Sequence, residues 1–378
     1  MRRRLVFLWV AILLLAGAVA LMLYGEEPAP QQPEVSVSFP RRLNPEERKR
    51  MESRRVLPEP PPPKEDRAAG PQRPRDPVLA ALSGSGHGSV VVVEANAIRN
   101  SPVGKLLLEC LLAETREDPI EKVRREAGVD LLQDLDRVAL TDDGMIVSGH
   151  FANARWDDLF RQRATSSRYG DSATVYRALP REVSLPDGGR LSRESQESLA
   201  AWNDQMLLLG DSDEAVKAMI DRIEGRQPVE QPILNESQTY GEIYGVLSAD
   251  DLAKLFPGDQ TDLAERFRAA ASRIEVHVDT SRDVGIVADV QGSDAAQVED
   301  LGKSLGAALA VARLGAQQDD QQKDLADLLG LAKVRPDGDK FKVEMAIPLE
   351  LLEKQLSRCG ERRRAREERQ KQAAGGDR

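Results

Sequence analysis

The amino-acid sequence predicts an α+β protein of two similar units, each built from a strand, helices, a hairpin and a further helix, held behind one transmembrane helix. Three observations predict this class: an uncharged apolar run, a proline-rich segment, and an order of strand and helix patterns that occurs twice. The expected divisions are a basic start and anchor (1–24), a spacer (25–77), a first unit (78–232), a second unit (233–358) and a charged tail (359–378).

Residues 1–24 are interpreted as a membrane anchor. Three arginines precede an apolar run over 5–24, which at about 1.5 Å per residue makes a helix of roughly 30 Å, the thickness of the bilayer's hydrocarbon core. A cleaved signal peptide is the alternative, but its apolar stretch is only about 7–15 residues long. The arginines place the N-terminus in the cytoplasm and the rest of the chain on the extracytoplasmic side, in the periplasm if the cell is Gram-negative.

The segment 25–77 is interpreted as a disordered spacer. It contains thirteen of the 22 prolines and few large apolar side chains, so it cannot bury enough surface to offset its chain entropy. A flexible chain of this length spans about 40 Å. A short helix is expected over 45–55, where Asn44 and Pro45 form a helix start.

Charge excludes one class of partner. The net charge is −10, and because the start, spacer and tail are net basic, the folded region is more acidic than the whole chain. Such a surface repels phosphate backbones, so nucleic acid is excluded. The two cysteines, Cys110 and Cys359, form no metal or redox motif. Cys110 is interpreted as a buried thiol, and the sequence leaves open whether the two are bonded.

The first unit is read from turn and capping residues. Asp142-Asp143-Gly144 is a hairpin turn, and Asp211 with Glu214 stands at capping-box spacing before a helix that Gly225 ends. The expected elements are a strand at 89–94, helices from 101 and over 118–128, hairpin strands 137–141 and 145–150, a helix near 153–160, strands near 173–179 and 205–209, and a helix over 212–224.

The second unit repeats this order. Phe341, Val343 and Met345 alternate with charged residues, the pattern of a strand with one buried face. Ser293 is the expected cap of a long helix. The expected elements are a strand at 242–247, helices from 248 and over 262–271, hairpin strands 273–279 and 284–290, helices over 293–314 and 324–329, hairpin strands 332–335 and 340–346, and a helix from 348.

Two such units suggest antiparallel sheets covered by helices on one face, a loosely ferredoxin-like arrangement. The copies align at Arg137 and Arg273, each of which opens a hairpin. Gly128-Val129-Asp130, followed by Asp134-Leu135-Asp136-Arg137-Val138, resembles membrane-anchored envelope proteins of myxobacteria and related lineages. The resemblance covers residues 78–358 and implies no activity.

No pattern indicates a catalytic, cofactor or metal site. The glycine-rich stretch 83–89 precedes the first strand, whereas a phosphate loop follows one. The string from Gly302 to Gly306 matches a nucleophile elbow but lies inside a predicted helix, where glycines four residues apart allow close packing. The three histidines show no metal-binding spacing: His87, His150 and His277.

The candidate partner surface lies in the first unit, where aromatic residues concentrate. Aromatic side chains are typical of a core, but a binding groove has the same composition. The polar stretch 181–197 lies near them in sequence and has no counterpart in the second unit. The residues proposed for this surface are Trp156, Trp202, Arg190 and Arg193.

Together these features predict a non-enzymatic scaffold or binding module of the cell envelope, without a cofactor. Its expected partners are the membrane, through the N-terminal helix, and an envelope protein or polymer. The alternative is an envelope enzyme whose carboxylates converge from distant parts of the chain. Convergent acids with raised pKa values in a cleft would favour the enzyme.

Overall fold

The fold is α+β, with helices packed on antiparallel sheets. The computed structural model describes residues 39–40, 76–84, 88–114, 119–161, 163–179, 181–184, 190–193, 197–227, 229, 231–254, 261–318 and 323–354. The predicted anchor, the helix expected over 45–55, His87 and the tail lie outside these residues. Within the described ranges, no helix has both the length and the apolar composition needed to cross a membrane.

The secondary structure of the described residues follows the predicted order, with additional strands and two additional short helices, and a last helix begins at residue 349. The helices are α1 (Pro77–Ala81), α2 (Ala95–Asn100), α3 (Pro102–Glu114), α4 (Pro119–Ala127), α5 (Trp156–Phe160), α6 (Asp213–Ile223), α7 (Ala249–Ala253), α8 (Thr261–Ala270), α9 (Ala295–Gln318) and α10 (Lys323–Leu331). The strands are β1 (Val90–Val93), β2 (Leu135–Thr141), β3 (Gly144–Gly149), β4 (Ala164–Tyr169), β5 (Ala173–Ala178), β6 (Arg181–Ser184), β7 (Arg190–Arg193), β8 (Ser198–Trp202), β9 (Met206–Gly210), β10 (Ile243–Leu247), β11 (Arg273–Asp279), β12 (Val284–Gln291), β13 (Ala332–Asp337) and β14 (Lys340–Ile347).

Two helices begin one residue later than their predicted caps. The hydroxyl of Ser212, rather than Asp211, accepts a hydrogen bond from the Ala215 amide at 3.1 Å and caps α6. The carboxylate of Asp294, rather than Ser293, accepts the Ala296 amide of α9 at 2.9 Å. In both cases the capping oxygen bonds a free amide of the first turn, which is what selects the start of a helix.

The chain folds into two compact units. The N-unit lies within Leu43–Asn96 and Glu117–Thr239, and the C-unit takes Ala97–Arg116 and the chain from Tyr240 onward. The boundary expected between residues 232 and 233 therefore falls between Thr239 and Tyr240. The segment containing α3 folds with the C-unit, since Val103 packs in a cluster with Leu328 and Ile347.

In the N-unit, seven antiparallel strands follow the order β1-β2-β3-β9-β8-β5-β4. Helices cover both faces of this sheet, α1 and α6 on one face and α4 and α5 on the other. The expectation of helices on one face is therefore wrong for this unit. Its central strands are apolar on both sides: Val147 packs toward α5, while its neighbour Ile146 is buried on the opposite face.

In the C-unit, the antiparallel order is β13-β14-β12-β11-β10. Helices α8 and α9 pack on one face, around Phe267, Ile274 and Phe341. On the opposite face, directly paired residues of neighbouring strands form a charged row, which contains Glu275, Asp289, Lys342 and Arg335. Both predicted hairpins of this unit are confirmed, as β11–β12 and β13–β14.

The Gly302-x-Ser-x-Gly306 string lies inside α9, as predicted, and the first glycine permits a close helix–sheet contact. A Cβ atom on Gly302 would lie 3.1 Å from Cβ of Phe341, whereas one on Gly306 would lie 3.8 Å from Cβ of Val334. Only the first distance is shorter than ordinary van der Waals contact. The two glycines therefore differ in what an added methyl group would meet.

Alanine at these two glycines should have opposite effects on stability. We expect Gly306→Ala to stabilise the C-unit by about 0.5–1 kcal/mol through helix propensity. We expect Gly302→Ala to destabilise it by about 1 kcal/mol, because overpacking against Phe341 outweighs the same gain. Thermal unfolding followed by far-ultraviolet circular dichroism measures both, and equal shifts would contradict the close contact.

Cys110 is half-buried on α3 and is disulfide-bonded. The interpretation of Cys110 as an ordinary buried thiol is therefore wrong. The chain has only one other cysteine, Cys359, which is therefore the one candidate partner for a disulfide within the chain. Cys359 lies outside the described residues.

Candidate interaction surface

The two tryptophans expected on a partner surface are buried. Trp156 is 6% exposed, and its ring lies 5.6 Å edge-on from Phe151 and 6.5 Å from Phe160 in the core beneath α5. Trp202 is 0% exposed and lies on the other face of the sheet, where its Nε1 donates to Glu224 at 3.4 Å. The indole rings thus belong to two cores on opposite faces of one sheet, and neither offers an exposed surface.

Arg190 and Arg193 lie on β7, which pairs with β6 in a two-stranded sheet of its own. In the register of this hairpin, Arg193 stands opposite Arg181 and Arg190 opposite Ser184. The hairpin is not part of the large sheet of the N-unit. The four residues chosen from the sequence are therefore not joined by a common structural element.

The exposed feature of the N-unit is the strand β4, which the sequence patterns did not predict. It is the last strand in the sheet order, and among the described residues it pairs only with β5. Its four central residues are all exposed, namely Thr165, Ser166, Ser167 and Arg168. We define the outer backbone of Ala164–Tyr169, together with the flanking Arg163, as the β4 edge.

The hydrogen-bond pattern identifies which groups of the β4 edge point outward. The Leu179 amide donates to the Arg163 carbonyl at 2.8 Å, so this pair is a hydrogen-bonded pair of the ladder. Alternation along an antiparallel ladder then directs Thr165, Ser167 and Tyr169 toward β5. The amide and carbonyl groups of Ala164, Ser166 and Arg168 remain on the outer side. The same alternation holds on the other side of β5, which pairs with β8. There the Asn203 amide donates to the Ser172 carbonyl at 3.0 Å.

The β4 edge has neither a proline nor a β-bulge, two features that commonly protect a sheet edge. The edge strand of the C-unit, β13, contains Pro336 and two basic residues, Lys333 and Arg335. A proline removes an outward amide, and charged side chains discourage pairing with a strand of like charge. β4 contains no proline, and its pairing with β5 runs without a register shift over all six residues. It is therefore an open template for another strand.

Two cations flank this edge without a carboxylate partner. Arg163 and Arg168 are exposed, and among the described residues neither forms an ion pair. By contrast, Arg161 pairs with Asp158 at 2.6 Å and Arg177 with Asp213 at 2.7 Å. The β4 edge is thus locally positive in a chain whose net charge is −10.

The C-terminal end of β4 is held against α6 by Tyr169. Its hydroxyl lies 3.1 Å from both carboxylate oxygens of Asp221, and the cationic groups of Lys217 and Arg226 lie 5.5 and 5.3 Å from its ring centre. Burial raises the pKa of Tyr169, and the hydrogen bond with Asp221 adds to the rise. Arg226 also pairs with Glu224. These contacts hold one end of the strand in place, which reduces the entropy lost on binding.

One acidic group near this surface, Asp213, has a pKa shift opposite to that of a general acid. Burial raises the pKa of Asp213, but the hydrogen bonds from Lys217 and Arg177 outweigh it and hold the pKa below its usual range. A carboxylate-based enzyme needs the opposite shift in at least one acid. Within the described part of the chain, no cluster of histidine, cysteine or acidic residues is suited to a metal ion.

The two described histidines lie in different environments. His277 is fully buried on β11, where its Nε2 lies 2.9 Å from Glu275, its Nδ1 lies 3.1 Å from the Tyr240 carbonyl, and the Tyr240 ring stacks on it at 3.6 Å. His150 is exposed, with its Nδ1 3.3 Å from Asp136. The burial and full hydrogen bonding of His277 indicate a structural role.

Comparisons with known proteins give limited matches. No protein-family model matches the chain, and no curated protein matches it. Crystal form III of TP0453 matches with a TM-score of 0.42 and 12% identity, over 74% of this chain and 97% of that chain. Crystal form I matches with a TM-score of 0.42 and 12% identity, over 75% and 98%. A likeness at this level supports no conclusion about this chain.

Proposed function

We propose that this chain is a non-enzymatic binding protein of the cell envelope, anchored by its N-terminal helix and displayed on the extracytoplasmic side. The observation that carries the proposal is the β4 edge. There an exposed strand presents the amides and carbonyls of Ala164, Ser166 and Arg168, and no other described strand pairs with them. Such groups bind another chain through main-chain hydrogen bonds. The expected partner is an envelope protein or a polymer that carries hydrogen-bonding groups.

The placement of the protein rests on its sequence. The apolar run 5–24 is long enough to span a bilayer, and the arginines before it favour a cytoplasmic N-terminus. The proline-rich spacer would let the folded region reach tens of Å from the membrane. A binding surface on such a tether searches a volume near the membrane, which favours contact with a partner in the envelope.

We also infer that the two units arose by duplication. The order β1-β2-β3-β9-β8 in the N-unit parallels β10-β11-β12-β14-β13 in the C-unit, with a late hairpin returning beside the third strand in each case. Strands β4 and β5 have no counterpart among the described strands of the C-unit. The N-unit therefore differs from the C-unit by the pair β4 and β5, which carries the β4 edge. This difference supports a binding role for the β4 edge.

A second exposed surface is consistent with binding. The side chains of Val311 and Leu314 on α9 are 69% and 58% exposed. Apolar side chains clustered on a surface frequently mark contact sites. This surface belongs to the C-unit, and its chemistry differs from that of the β4 edge.

Crosslinking in cells tests the proposed function. A photoreactive amino acid is placed at Thr165, beside the outward groups, and in a control at Asp262, an exposed position on α8. We expect ultraviolet light to join the Thr165 variant to a defined envelope component, identified by mass spectrometry, and the control to give no such product. If neither this position nor chemical crosslinking of the whole chain captures a partner, the proposed function is wrong.

A further inference from the structure

We propose that the β4 edge binds an extended, acidic polypeptide segment, which adds to the sheet of the N-unit as an eighth strand beside the seven in the order that ends at β4. This inference rests on the proposed function and specifies its partner.

The backbone template suits a single short strand. The outward groups of Ala164, Ser166 and Arg168 are spaced by two residues, as successive bonds to one neighbouring strand require. The side chains between Ala164 and Arg168 are small hydroxyl-bearing ones, so they do not obstruct an approaching chain. The register with β5 is continuous, so the outward groups lie in a regular row. Main-chain bonds along that row supply affinity without selecting a sequence.

Charge supplies the selectivity. Arg163 and Arg168 stand at opposite ends of the strand, and because they are five positions apart they lie on opposite faces of the sheet. An incoming segment with acidic residues near both of its ends meets a cation on each face. Unpaired exposed cations such as these favour an acidic partner mainly through faster association, and they disfavour a basic partner by like-charge repulsion.

A second copy of the chain fits this edge less well. Antiparallel pairing of two β4 strands about Ser166 would place Arg168 of each copy opposite Ala164 of the other. The joined sheet would then carry Arg163 and Arg168 of both copies, all with the same charge. No acidic residue lies within β4 to offset them. Charge complementarity therefore favours a different, acidic segment over self-pairing.

A labelled peptide binding to the full-length chain in detergent tests the inference. The probe is Glu-Glu-Thr-Val-Thr-Val-Thr-Glu-Glu, which reads the same in both directions and so does not presuppose parallel or antiparallel pairing. The control peptide has lysine in place of each glutamate. We expect fluorescence anisotropy to show binding of the acidic peptide and at least about tenfold weaker binding of the basic one.

Variants of the protein separate backbone pairing from charge. Ser166→Pro removes the central outward amide without removing a bond to β5, so the strand should stay folded while binding of the acidic peptide falls at least about tenfold. Ser166→Ala is the matched control and should bind as the natural chain does. The double variant Arg163→Glu, Arg168→Glu should reverse the preference between the two peptides. It also keeps the test valid if the proline variant fails to fold.

The outcomes distinguish this inference from the proposed function. Equal binding of both peptides, or unchanged binding by Ser166→Pro, would overturn the acidic-strand inference. So would a dimer, detected by analytical ultracentrifugation, that Ser166→Pro dissociates, because the second copy would then be the occupant. In each case a crosslinked partner in cells would leave the broader binding function standing.

Discussion

Replacing Arg137 with methionine should lower the free energy of unfolding of the N-unit by about 3–5 kcal/mol. Arg137 is 5% exposed, its Nη1 lies 2.6 Å from Asp76, and its Nε lies 3.1 Å from Glu94. The Nε contact is close enough for an ion pair although it is not directed as a hydrogen bond. Methionine fills similar space but leaves two largely buried carboxylates without their common cation.

The position of Asp76 makes this cost larger than that of a surface pair. Asp76 also caps α1, accepting a bond from the Val78 amide at 2.9 Å, so the arginine joins the start of that helix to β2. Urea unfolding followed by tryptophan fluorescence measures the effect, because both described tryptophans lie in the N-unit. The matched control is Arg161→Met, whose exposed pair with Asp158 should contribute less than about 0.5 kcal/mol. Equal effects of the two variants would contradict the account.

Replacing Phe341 with alanine should destabilise the C-unit by about 3–5 kcal/mol. The Phe341 side chain is fully buried, with its ring 6.5 Å edge-on from Phe267 and its Cβ packed against Gly302. The alanine variant leaves a cavity at the centre of the helix–sheet contact. Circular dichroism during urea unfolding measures the change. The control is Val311→Ala on α9, an exposed position expected to shift stability by less than about 0.5 kcal/mol; a cost for Phe341→Ala below that of the control would contradict this packing.

Elements with strong local signals could be predicted from the sequence. The turn at Asp142-Asp143-Gly144 joins β2 to β3, and the alternation around Phe341 marks the buried side of β14. Gly128 and Gly225 adopt positive φ angles of 73° and 70° and end their helices as predicted. In each of these cases the determining interaction lies within a few residues of the pattern.

The β4 edge could not be predicted, for a physical reason. A strand is visible in a sequence through apolar alternation, and the residues of β4 are almost all polar because the strand is exposed. What makes it a strand is pairing with β5, a contact between segments. The tryptophan hypothesis was wrong for a related reason: composition distinguishes aromatic residues from polar ones but does not distinguish a core from a groove.

Amide hydrogen exchange along β4 tests the binding role of its edge most directly. In the free protein, the outward amides of Ser166 and Arg168 should exchange much faster than the inward amides of Thr165 and Ser167. Adding the glutamate-ended peptide should slow the outward amides and leave the inward ones nearly unchanged. Uniform exchange along β4 in the free protein, or protection confined to other strands when the peptide is bound, would contradict the account.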